Sequence, residues 1–183
     1  MSILPVCLPV MNNLTFSFPT VLEYAAACWV AGWGKNEFDG SFQFLQRKVD
    51  VPLVNNVQCN ADLKSALNSQ SSGIGDRFTL DSSEVCAGGE VGKDACTGDG
   101  GSPLVCQARS GRWTLVGLVT WGVGCAEQLP GVYVRVSQFR DWIDNNNADI
   151  VNSDVEVVVD VLGRKVQGGT TGDRSKVEAI RFV

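Results

Sequence analysis

The stretch DACTGDGGSPLVC, Asp94 to Cys106, holds two cysteines ten residues apart around a turn in which three of four residues are glycine (Gly98, Gly100 and Gly101, with Asp99 between). Glycine lets a backbone enter conformations closed to other residues, so this segment bends sharply. The Ser-Pro-Leu-Val-Cys that follows reads as a short apolar strand. Alone, such a loop is a turn and carries no chemistry. What surrounds it gives it meaning.

Upstream, CWVAGW (Cys28–Trp33) is an apolar, aromatic strand running into a glycine turn, and FQFLQRKVDVPLV (Phe42–Val54) alternates through Val49, Val51 and Leu53 as a half-buried strand does. SEVCAG, WTLVGLVTWG and GVYVRV, each bounded by Gly, Pro or Ser, complete six strands. Asn55–Leu67 opens on asparagines able to cap a helix, and Val136–Asn147 places Val136, Phe139, Trp142 and Ile143 on one helical face. Six short strands with two brief helices predict an all-β domain, a small antiparallel barrel with a C-terminal helix.

The chain has 183 residues, a net charge of −5 and no clustered Lys/Arg, which argues against nucleic acid as a partner. No apolar run approaches the ~20 residues of a membrane span. Seven cysteines with no CxxC pair and no histidine exclude the common zinc sites, so no metal and no cofactor is expected; spacings of 10 to 31 residues fit disulfides. Disulfides imply an extracellular, secreted protein. The opening MSILPVCLPVMNN has no basic n-region, and prolines 5 and 9 break any apolar core, so it is no signal peptide and the expected N-terminus lies upstream.

CWVAGWG, EVCAGG, DACTGDGGSPLVC, LVTWGVGC and PGVYVRVSQFRDWI follow one another in an order and spacing that resembles the C-terminal barrel of the trypsin/chymotrypsin-like serine proteases (peptidase S1), over roughly residues 3–147. The resemblance implies the second barrel of a two-barrel fold with the first barrel missing, and the pairs Cys28–Cys106, Cys59–Cys86 and Cys96–Cys125. Cys7 is left over, and the family bridges that position to an upstream segment. Residues 1–147 then form a partial protease domain and 148–183 an unassigned appendage, in which DVEVVVDVL reads as one strand and QGGTTGDRS as a flexible loop.

Where the family carries Gly-Asp-Ser-Gly-Gly-Pro, this chain reads Gly98-Asp99-Gly100-Gly101-Ser102-Pro103. The resemblance puts Gly100 at the nucleophile's position, with Gly98 and Gly100 still offering the N–H groups of an oxyanion hole. Ser102, two residues on, is about 6–7 Å away along an extended chain, outside the ~3 Å that nucleophile and base must share. A serine of this kind also needs a histidine base oriented by an aspartate, and this chain has no histidine. Asp94 falls where trypsin-like members hold the carboxylate that pairs with a substrate Arg or Lys, Gly122 and Gly131 where small residues keep that pocket open, and Asp99 where a cleavage-generated amine binds.

A glycine at the nucleophile's position resembles the arthropod clip-domain serine protease homologues, the prophenoloxidase-activating cofactors and masquerade-like proteins. This implies a non-catalytic, protein-binding role in an extracellular protease cascade of innate immunity (melanisation), with proteins of that cascade as partners and an N-terminal barrel and clip domain beyond this chain. Two alternatives stand beside it: a fragment of an active trypsin-like endopeptidase, which Gly100 opposes, and a non-functional product of a mispredicted gene.

Overall fold

The computed structural model describes residues 6–9, 24–108 and 111–152; the expected strand and loop of the C-terminal appendage lie outside them. Two compact units divide the chain, Val6–Arg140 and a second made of Met1–Pro5 with Asp141–Val183. Within the first, seven strands form one antiparallel sheet: β1 (Tyr24–Gly32), β2 (Arg47–Val51), β3 (Leu53–Val54), β4 (Glu84–Gly88), β5 (Pro103–Ala108), β6 (Trp113–Trp121) and β7 (Pro130–Arg135). Their order is β2-β1-β5-β6-β7-β4-β3. The terminal strands of that order, β2 and β3, are separated in sequence by Pro52 alone. Val51 is registered with Cys28 of β1 and Leu53 with Ala87 of β4, so the sheet closes on itself as a barrel.

Proline suits this corner because it has no N–H to donate to a ladder. Its carbonyl still takes part, accepting from Gly88 N–H at 2.8 Å. The segment expected to be one strand, Phe42–Val54, is therefore two strands preceded by a loop. Residues 42–46 are outside the sheet, apart from a bridge of Phe42 to Lys35, and Phe44 and Leu45 are 101% and 82% exposed. Apolar alternation there marks a loop that shows its hydrophobic groups to solvent.

Inward-facing residues from every wall fill the barrel: Cys28, Val30, Val51, Val85, Ala87, Leu104, Cys106, Val116 and Tyr133. A second cluster lies under α1 (Asn56–Gln70), where Cys59 and Leu63 meet Cys86 and Val132, with Phe78 edge-on to Trp121. Helix α1 starts where Asn55 Oδ1 accepts the Val57 N–H at 2.8 Å, satisfying one of the donors a helix start leaves free. A short helix the sequence pattern did not indicate, α2 (Ile74–Arg77), follows. Disulfides join Cys28–Cys106 between β1 and β5, Cys59–Cys86 between α1 and β4, and Cys96–Cys125 between two loops, the pairs that the resemblance implies. In the chain-entropy account each contributes about 4 kcal/mol. Cys7 has no disulfide; its backbone bridges to β6 through Trp113 O and the Leu115 N–H, both at 2.9 Å.

Buried Arg135 closes the far end of β7. Its guanidinium donates to the Ser82 and Glu84 carbonyls at 3.0 and 2.7 Å, holding the turn before β4. The expected C-terminal helix begins as a 3-10 turn, Val136–Phe139, and continues as α3, Arg140–Asn152. No described helix is long and apolar enough to cross a membrane.

Fully buried Leu63 anchors α1. Leu63→Ala should cost about 3 kcal/mol in denaturant unfolding with disulfides intact, whereas Leu45→Ala, in the exposed loop, should stay within about 0.5 kcal/mol of the parent.

Candidate functional site

The glycine-rich loop is organised by Asp99. One carboxylate oxygen accepts the Gly34 N–H at 2.8 Å and the other accepts the Cys96 N–H at 3.0 Å, joining the end of β1 to the loop's own base. Room for this carboxylate comes from missing side chains. A Cβ at Gly32 would overlap Asp99 Oδ1, and one at Gly34 would lie 2.5 Å from Asp99 Cγ. Two glycines in AGWG are thus spatial requirements of an aspartate 65 residues beyond the second of them.

Gly98 has φ +97°, and a side chain there would strike the Phe42 ring, 2.6 Å from its Cε1. The Phe42 ring thus covers the Cα side of Gly98, with Lys35 Nζ 5.8 Å from the ring centre on the same hairpin. Gly100 is exposed and open space surrounds its Cα. Among the described residues no hydrogen bond from the Gly98 or Gly100 N–H is present. Ser102 is committed elsewhere: its N–H donates to Asp99 O and its carbonyl accepts from Val119, both at 2.9 Å, while its Oγ lies 3.0 Å from where a Gly32 Cβ would be. That hydroxyl faces the end of β1.

Asp94, Gly131 and Gly122 do come together. A Cβ at Gly131 would lie 3.2 Å from Asp94 Oδ1, and one at Gly122 would lie 3.9 Å from Gly131 Cα. The three lie close together where the loop leading into β5 meets the start of β7 and the β6–β7 connection, two segments joined by Cys96–Cys125. Asp94 accepts the Ala95 and Ala126 N–H groups at 2.8 and 3.1 Å. Burial pushes its carboxyl up to about 6 against the pull of those two bonds, and the Asp99 charge adds to the rise.

Sequence reading did not single out Tyr133 or Ala126. Tyr133 is 1% exposed, with its hydroxyl 3.5 Å from the Gly131 Cβ position and no hydrogen-bond partner among the described residues. Burial, then the charges of Asp94 and Asp99, hold this phenol neutral well above its ordinary range. This hydroxyl is an exception to the rule that buried polar groups are paired. In sequence Tyr133 is one aromatic in an alternating strand, with nothing to separate it from the rest of the core.

A family model described as Trypsin matches residues 2–143. The chain is 51% identical over 132 residues to inactive CLIP domain-containing serine protease A3 of Aedes aegypti, a match covering 70% of this chain and 26% of that protein. It is 44% identical over 148 residues to phenoloxidase-activating factor 2 of Galleria mellonella (78% and 45%) and 38% identical over 146 residues to inactive CLIP domain-containing serine protease A28 of Anopheles gambiae (79% and 35%). It spans less than half the length of each. The chain belongs to the trypsin family.

Asp94 makes stability depend on pH with a definite sign. The unfolded chain ionises it near 3.8 and the folded chain near 6, so between those values the folded state holds a proton that the unfolded state releases. The stability of the parent relative to Asp94→Ala should be greatest below pH 4 and decline as pH rises through about 6, measured by denaturant unfolding of both forms across that range.

Proposed function

We propose that this trypsin-family chain is the second barrel of a catalytically inactive protease homologue, secreted, that works by binding other proteins of an extracellular proteolytic cascade, the melanisation response of innate immunity. What carries the reading is the loop Gly98-Asp99-Gly100-Gly101-Ser102-Pro103, whose resemblance to the family's Gly-Asp-Ser-Gly-Gly-Pro sets Gly100 where the nucleophilic serine would be. Acyl transfer by this fold needs an oxygen held beside an imidazole and the oxyanion-hole donors together. Here Gly98 and Gly100 retain donors, and no side chain of the loop supplies the nucleophile. The names of the relatives, two inactive clip-domain proteases and a phenoloxidase-activating factor, support the same reading.

The recess of Asp94, Gly122 and Gly131 serves in this reading as a binding pocket for a basic side chain of a partner protein. Its carboxylate is suited to a guanidinium or ammonium group, and the two glycines leave the entrance open. A first barrel and a clip domain complete the protein in this reading, with Cys7 bridging to the upstream part. Neither metal nor cofactor has a role in it.

Restoring the serine should not restore catalysis. Gly100→Ser supplies an oxygen, but a serine hydroxyl without a base is a weak nucleophile at neutral pH. Cleavage of a fluorogenic Arg-terminated peptide by the parent, Gly100→Ser and Asp94→Ala chains should give three flat traces. Multiple turnovers by the serine variant, lost when Asp94→Ala is added to it, would overturn the inactive reading.

A further inference from the structure

Among the described residues Ala126 alone, apart from glycines, has a positive φ, +60°. L-residues with a side chain adopt this left-handed conformation uncommonly. Three tethers hold Ala126 there. Its N–H donates to Asp94 Oδ2 at 3.1 Å, its carbonyl accepts the Gly92 N–H at 2.8 Å, and its neighbour Cys125 is bonded to Cys96. Both polar groups of one residue are thus spent on the segment 92–96, which carries Asp94. Rotating Ala126 to a negative φ would turn its two peptide planes and break both bonds together.

We propose that Ala126 is the positioning residue of the Asp94 recess: its left-handed backbone aims an N–H at the carboxylate and so sets the pH range over which the recess holds a cation. The proposal rests on the reading of that recess as a pocket for basic groups, and it adds the residue that tunes it. A donor aimed at the charged form favours ionisation and opposes the burial that disfavours it. The other charged groups nearby do not substitute. Asp99, on the glycine-rich loop, works against a second negative charge, and Tyr133, on β7, stays neutral with its hydroxyl unpaired among the described residues. Lys93 is turned to Asp50 of β2 and Glu90, at 3.0 and 3.2 Å. The Glu127 carboxylate lies against Gly124 on Ala126's own loop. The Ala95 N–H is supplied by the residue next to Asp94 in the chain and moves with it, so Ala126 is the donor that ties the carboxylate to the opposite wall.

Carbon-13 NMR of the Asp94 carboxyl in the full chain, assigned by its loss in Asp94→Ala, measures this directly and without a ligand. The parent should titrate near 6. Ala126→Gly keeps the N–H and accepts positive φ, so its midpoint should not move. Ala126→Val cannot hold the turn, and its midpoint should rise by about one unit, the size of one hydrogen bond to a charged group. If the valine form shows no cooperative thermal transition, lactate at position 126 removes only the donor and should give the same rise. Calorimetry with benzamidine should show the pH midpoint of binding shifting with the carboxyl's. A folded valine or lactate form with an unmoved titration overturns the role of Ala126 while benzamidine binding by the parent stands. Absence of benzamidine binding by the parent at every pH overturns the pocket reading and the cation part of this proposal, whatever the titration shows.

Discussion

Closure of the sheet at Pro52 is the constraint from which the rest of the first unit follows. One residue carries the chain from its pairing with β1 to its pairing with β4, so the two ends of the sheet are covalent neighbours. Inward residues of the walls then share one interior, which holds Val51, Cys28, Leu104 and Tyr133 in a single buried cluster. Once the barrel is closed, loops at its rim are held at fixed separation. Asp94 and Gly131 are neighbours because β7 and the segment entering β5 are fixed in this way, with Cys96–Cys125 joining the loops that the strands bring near.

Within that frame two aspartates five residues apart have opposite situations. Asp99 is met by two N–H groups, one from β1's end, in space that two glycines vacate. Asp94 also accepts two N–H groups, but burial dominates and its carboxyl stays harder to ionise. The first serves as a fastener. The second is a carboxyl whose charge its surroundings oppose.

Much of this was legible in the residues. Period-two alternation located most of the strands, asparagines marked the start of α1, and the order of the glycine and cysteine motifs carried the barrel and its disulfide pairs. Phe42–Leu45 misled because alternation reports a hydrophobic pattern and not the presence of a second strand to pair with. The break at Pro52 was hidden because proline there interrupts hydrogen bonding without interrupting the pattern on either side. Four-residue α2 is too short for any period to register. Asp94, Gly122 and Gly131 were singled out through family likeness and do lie near one another, whereas Tyr133 and Ala126 were not singled out, since a buried orphan hydroxyl and a left-handed alanine are properties of assembled space.

The distant pairing of β1 has a consequence for how the chain is made. β1 finds its neighbour β2 within about twenty residues, but its other partner, β5, and the disulfide from Cys28 to Cys106 lie 78 residues further along. A nascent chain leaving the ribosome at about 5–20 residues per second exposes Cys28 for several seconds before Cys106 exists. In that interval Cys59, Cys86 and Cys96 emerge in turn, each a chemically equal thiol. Cys59 and Cys86 can find each other early because α1 and β4 are near in sequence. Cys28 has no correct choice available during that time, so production of this barrel depends on thiol–disulfide exchange to undo early pairings. The compartment in which the chain folds must supply that exchange as well as oxidation.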